Sequence, residues 1–234
     1  MKNKLLTITL FGLIGCSTPI TPNAIPNDDP ITPVTEKVNV IESITDETDC
    51  GELETFTVDQ DYCIKYGLSN IAFTLQYPKN LITDPPEVGY QNMHYNYFLM
   101  WDENEVQTEA ISVGYSTTKR NTFMKKNLKL DILRQVRTFW RQNGFTMAEE
   151  FIGTGEFEGE EYSMYRCKGN INNPDMELVG DYLIQCLVLE AEVDDENGLF
   201  LMMLANEKSE IKTFEDFADK GCISTIWQSL TLNY

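Results

Sequence analysis

The apolar residues of this chain change period twice, and that change constrains the fold more than any other feature. From about residue 48 the pattern alternates every second residue, most cleanly in Ile71-Ala72-Phe73-Thr74-Leu75-Gln76-Tyr77 before Pro78. Alternation of this kind marks a half-buried strand, and proline cannot continue a sheet ladder. Further strands are predicted at Glu54–Val58, Tyr62–Tyr66, Tyr95–Trp101 and Ala110–Tyr115, the last two flanking the polar turn Asp102–Asn104. The period then becomes helical. Leu128, Ile132, Leu133, Val136, Phe139 and Trp140 fall on one arc at about 100° per residue, and Asn143-Gly144 supplies a stop. Phe145–Ile152, Tyr162–Lys168, Tyr182–Val193 and Gly198–Ala205 return to strand-like patterns, with a hairpin turn at Asp195–Gly198. A closing helix is predicted from Thr213, where Asp216 completes an approximate capping box, with Phe214, Phe217, Ala218, Ile226 and Leu230 on its apolar face. Strands grouped apart from helices predict an α+β class with an antiparallel sheet flanked by helices.

The N-terminus reads differently. Lys2 and Lys4 precede the apolar run Leu5–Ile14, which is too short to span a bilayer, and Leu13-Ile14-Gly15-Cys16 closes it. The pattern resembles bacterial lipoprotein signals. It implies cleavage after residue 15 and lipid on Cys16, holding the protein in the cell envelope outside the cytoplasm, at the outer membrane. Residues 16–47 are rich in Pro, Thr, Asn and Asp without a sustained period, which suits an extended tether. Residues 48–234 are expected to form a single domain, with anchoring supplied by lipid alone.

Composition narrows the partners. A chain with 42% hydrophobic residues can bury a core, but its formal charge of −19 disfavours nucleic acid, whose phosphates need a cationic footprint. Within that acidity, Lys119, Arg120, Lys125, Lys126, Lys129, Arg134, Arg137 and Arg141 crowd the helix and its approach. They form either a solvated face that offsets neighbouring acids or a docking stripe for an anionic envelope protein or polymer, with Arg134, Arg137 and Arg141 pointing outward.

No residue grouping carries obvious chemistry. With Cys16 assigned to lipid, Cys50, Cys63, Cys167, Cys186 and Cys222 remain, none spaced for zinc or thioredoxin-type redox chemistry. Cys167 and Cys186 lie in consecutive predicted strands about a midpoint near Met176, so they are the preferred disulfide pair, the alternative being two buried thiols. His94 is the only histidine, and no ligand set or nucleophile accompanies it. Met93, Met100, Met202 and Met203 suit packing rather than soft-metal binding. Glu149-Glu150, Glu160-Glu161 and Asp194-Asp195-Glu196 read as solvated turns, since adjacent strand residues face opposite sides. No catalytic residue, cofactor or metal is assigned.

The element order adds one resemblance. A strand ending Tyr77-Pro78-Lys79, a helix after the early strands, Phe157-Glu158-Gly159-Glu160-Glu161-Tyr162 leading into a strand, and a closing helix ending Ile226-Trp227-Gln228-Ser229-Leu230 resemble the PsbP-like family, including DcrB-type lipoproteins. The resemblance spans residues 54–232 and implies an antiparallel sheet flanked by helices with no shared catalytic residues. The expected function is therefore a membrane-anchored, non-enzymatic lipoprotein that binds or supports another envelope component. The alternative is an immunity-type lipoprotein that occludes a toxin, and behind both stands an envelope hydrolase.

Overall fold

The computed structural model describes residues 50–89, 94–117, 128–157, 160–190 and 197–233. Cys16, the leader, the tether, Lys119, Arg120, Lys125, Lys126 and the turn residues Asp194, Asp195 and Glu196 lie outside them. The fold is α+β, built on two antiparallel sheets. The larger has seven strands in the order β3 (Ile82–Asp84), β4 (His94–Trp101), β5 (Gln107–Thr117), β9 (Asn197–Asn206), β8 (Leu178–Glu190), β7 (Glu160–Asn173) and β6 (Thr146–Phe157). The smaller has three, in the order β1 (Leu53–Val58), β2 (Phe73–Pro78) and β10 (Thr231–Leu232).

Both faces of the large sheet are covered, which explains why β9 reads as a nearly continuous apolar run. On one face, helix α2 (Leu128–Gln142) lays Leu133, Val136, Phe139 and Trp140 against Tyr97, Leu99, Tyr165, Ile184 and Leu204. On the other, the small sheet and helix α3 (Gly221–Gln228) close a second core, in which Phe73 and Leu75 meet Phe98, Ile111, Val113, Ile226 and Trp227. Gly144 takes φ 87°, a left-handed conformation that lets α2 end and the chain turn into β6.

Three expectations change on folding. Tyr62–Tyr66 is not a strand but most of helix α1 (Gln60–Tyr66). Asp59 caps it, accepting from the Tyr62 N–H at 2.8 Å, and left-handed Gly67 ends it. Helical geometry turns Tyr62, Cys63 and Tyr66 toward the core and leaves both Ile64, 70% exposed, and Lys65 outside, whereas a strand would have set Tyr62 and Ile64 on one face. The closing helix, expected to run on from Thr213, breaks in two. The Asp216 carboxylate does accept from the N–H groups of Lys212 and Thr213, at 2.8 and 2.9 Å, but the element it belongs to is only the 3-10 turn Glu215–Ala218, which has no side-chain cap. Helix α3 then starts afresh at Gly221, whose φ of 67° no side chain adopts readily.

The third correction concerns the cysteines. Cys167 and Cys186 are both buried free thiols, and the disulfide joins Cys50 to Cys222, with Cα atoms 5.6 Å apart. In the β7–β8 hairpin Cys167 lies opposite Ile184 and Cys186 opposite Tyr165. The 3-10 turn Pro174–Met176, with Glu177 at φ 57°, sets the hairpin centre ahead of the point midway between the two cysteines. They therefore face each other diagonally, too far apart for a bond between directly opposed strand residues.

Candidate functional site

The basic helix is where sequence and structure can be compared most closely. Its apolar arc faces the large sheet, and Trp140 is fully buried between Phe139 and Phe145 at ring-centroid distances of 5.2 and 5.8 Å. The three arginines do not form one outward stripe. Arg137 turns toward the neighbouring edge strand β6, where its Nη2 donates to Glu150 Oε1 at 2.5 Å, and only 16% of its side chain is exposed. Arg141 Nη2 lies 3.8 Å from the same carboxylate oxygen and is half exposed. Arg134 remains on the exposed side of the helix and has interactions of its own.

Glu150 is thus the hub of this corner. Its second oxygen accepts from the Tyr165 hydroxyl at 3.4 Å, and that hydroxyl also approaches the Met147 sulfur at 3.5 Å. Adjacent Glu149 projects to the opposite side of β6, as strand geometry requires. The pair therefore makes no common acid–base site. What the corner can do chemically is present the exposed guanidiniums of Arg134 and Arg141 to an anion, while Arg137 holds α2 to the sheet.

His94 opens β4 opposite Gly114, with its ring 4.1 Å from that of Tyr97. Its Nδ1 is buried without a hydrogen-bond partner, and burial pushes its pKa down to about 4. A neutral imidazole without a carboxylate to orient it is poorly placed as a general base. Among the described residues, no group of three or more His, Cys, Asp or Glu side chains could hold a metal. The free thiols are equally quiet. Burial pushes Cys63 up to about 11 and Cys167 up to about 12, and it drives Cys186 upward as well, so none is an activated nucleophile. The side chains of Met202 and Met203 pack on opposite faces of β9, inside the two cores.

The most elaborate polar node was not anticipated. Glu109, on β5, is 5% exposed and faces the start of α3. It accepts from the Ser209 hydroxyl at 2.7 Å and from the Cys222 N–H at 3.0 Å. Burial raises its pKa, and the hydrogen bonds from Ser209, Ile223 and Cys222 act against that rise. A Cβ at Gly221 would sit 2.8 Å from both carboxylate oxygens, so only glycine permits this approach. Glu109 serves as a cap supplied from a distant strand, at the point where the disulfide to Cys50 also attaches. The sequence held one signal for it: Glu109 shares strand parity with the core residues Ile111 and Val113.

No family model matches the chain, and no curated protein matches it in sequence. Several solved structures are similar in fold. One is cyanobacterial PsbP (CyanoP) from Synechocystis sp. PCC 6803, 12% identical, with 77% of this chain and 92% of that chain covered at a TM-score of 0.45. A second is LpqN of Mycobacterium tuberculosis, involved in cell envelope biogenesis, 12% identical, with 82% and 98% covered at 0.42. A third is the Ran-binding protein Mog1p of Saccharomyces cerevisiae, 12% identical, with 77% and 96% covered at 0.41.

Proposed function

We propose that this chain is a DcrB-type lipoprotein, anchored at the outer membrane through lipid on Cys16, whose α+β domain binds or supports another envelope component without catalysis. The observation that carries the reading is the Cys50–Cys222 disulfide. Such bonds belong to oxidising compartments outside the cytoplasm, which is where the lipoprotein-like leader ending at Cys16 would send the chain. Cys50 lies shortly after the proposed tether, so the bond ties the domain's entry point to its closing helix. A non-catalytic role is supported by how the ionisable groups are used: His94 is half-buried with its pKa held low, and Glu109 spends its oxygens on the start of α3. No described helix is long and apolar enough to cross a membrane.

Membrane fractionation tests the anchor. Cys16→Ala should release the chain from the membrane fraction or leave it unprocessed. A variant that stays membrane-bound with only its leader removed would overturn the lipid anchor. Partner capture from the native envelope tests the binding role. Replacing Arg134 and Arg141 by Gln should weaken capture in a salt-dependent way, since exposed charges are screened over about 8 Å at physiological ionic strength. The immunity reading rests on the formal charge of −19, which suits a cationic toxin. Capture of a single basic enzyme, with loss of its activity, would favour it.

A further inference from the structure

The edges of the two sheets are unequal. β3 offers three residues and β10 two, while β1 offers six. Edges as short as β3 and β10 resist pairing with other chains, and β1 is half the length of β6. β6 is different: it runs for twelve residues, and among the described residues it pairs only with β7. Its single register shift lies between Met147 and Glu149, leaving an unbroken ladder from Glu149 to Phe157. The stretch Phe151-Ile152-Gly153-Thr154-Gly155 carries no charge and no proline. The Phe151 ring lies over Gly153 and the Tyr162 ring over Gly155, so one face of this stretch is smooth.

We propose that β6 pairs antiparallel with β6 of a second copy, joining two seven-stranded sheets across a twofold axis. Charge favours association at this edge of so acidic a chain. Glu150 is already engaged by Arg137 and Arg141, and Glu149 lies opposite Lys168. Two strongly acidic chains therefore meet where their own cations are concentrated.

Charge also selects the register. In an antiparallel twofold pair, directly opposed residues lie on the same face, so the axis must pass through a residue pair. An axis at Glu150 would oppose that carboxylate to its own copy, and one at Gly153 would oppose Glu150 to Glu156. An axis at Phe151 sets Glu149 and Glu150 against Gly153 and Ile152. An axis at Ile152 sets them against Gly155 and Thr154. Only these two central registers keep each acid opposite an uncharged residue while covering the whole stretch from Phe151 to Gly155.

Sedimentation equilibrium of the full-length chain over about 1–300 µM, a span bracketing micromolar affinity, should show a reversible monomer–dimer step. Ile152→Glu should weaken the dimer roughly ten-fold or more, because the new carboxylate faces itself in one register and Glu150 in the other. Ile152→Lys separates the two, restoring association if the axis is at Phe151 and abolishing it if at Ile152. Single cysteines placed in turn along residues 149–155 should give intermolecular disulfides that peak at 151 or 152, which reads the seam even if a charged variant folds poorly. A chain that stays monomeric throughout, a folded Ile152→Glu variant that dimerises unchanged, or cross-linking without a peak at these positions would overturn the proposal.

Discussion

The two helices that cover opposite faces of the large sheet are held by different physics. α2 spans fifteen residues and seats a full apolar arc, with Leu133, Val136 and Trp140 completely buried. Arg137 and Arg141 tie it to Glu150 on the sheet at a partly exposed edge. α3 has only eight residues, too few to be stable alone. It is fixed at its first turn by the buried Glu109 carboxylate and by the disulfide from Cys222 to Cys50. Further along, the Trp227 indole N–H donates to the Phe217 carbonyl at 2.7 Å. A long amphipathic helix can rely on buried area and leave its charges adjustable. A short one needs directed bonds, and here they leave no room for a side chain at Gly221.

Mutations can break this contrast. Trp140→Ala should cause the largest loss, about 3–5 kcal/mol by chemical denaturation, because a fully buried indole leaves a cavity between α2 and the sheet. A loss near 1 kcal/mol would mean that buried area is not what holds α2. Replacing Cys50 and Cys222 together by Ser should cost about 2–5 kcal/mol, since the bond closes a loop spanning 172 residues. The same double variant of Cys167 and Cys186 should show no entropic loss of that kind, because those thiols are unbonded.

The two faces should also titrate in opposite directions. His94, on the α2 face, has its pKa lowered from 6.5 to about 4 by burial. Its folded form binds fewer protons than the unfolded chain between those values. Stability should therefore be complete above pH 6.5 and fall toward pH 4 by up to roughly 3 kcal/mol. Glu109, on the α3 face, has its pKa raised above 4.5. Its folded form holds the extra proton just above that pH, so its contribution is greatest at acid pH and is lost as pH rises through the raised value. His94→Gln should flatten the acid limb of the stability profile, and Glu109→Gln the limb above pH 4.5. Melting curves across pH in which either variant keeps the parent profile would remove that group from the account. The smallest effect belongs to Arg137→Gln, about 1 kcal/mol or less, as for other partly exposed ion pairs. A larger loss would show that α2 depends on Glu150 as α3 depends on Glu109.

Much of the architecture was legible because it follows from local period. β2, β4, β5 and α2 appear where alternation and the 3.6-residue repeat place them, and Gly144 ends α2 as its position suggests. Short elements were harder to read. The Tyr62–Tyr66 segment carries enough aromatic residues to read as a strand, yet the Asp59 cap and left-handed Gly67 make it helical. Arg137 and Arg141 both reach Glu150 on β6, and only the closer approach and deeper burial of Arg137 set it apart. Periodicity says which arc is polar, not what stands opposite it.

The α+β class and the positions of the long elements follow from residues close together in the chain, and the strongly acidic charge from composition alone. The tertiary structure alone decided which cysteines bond, how the β7–β8 hairpin registers, and where the closing helix breaks. Each of those depends on groups brought together from far apart: Cys50 with Cys222, Glu109 with Gly221 and Ser209. A one-residue displacement of the turn at Pro174–Met176 moves every opposed pair in the hairpin, and no local pattern in β7 or β8 reports it.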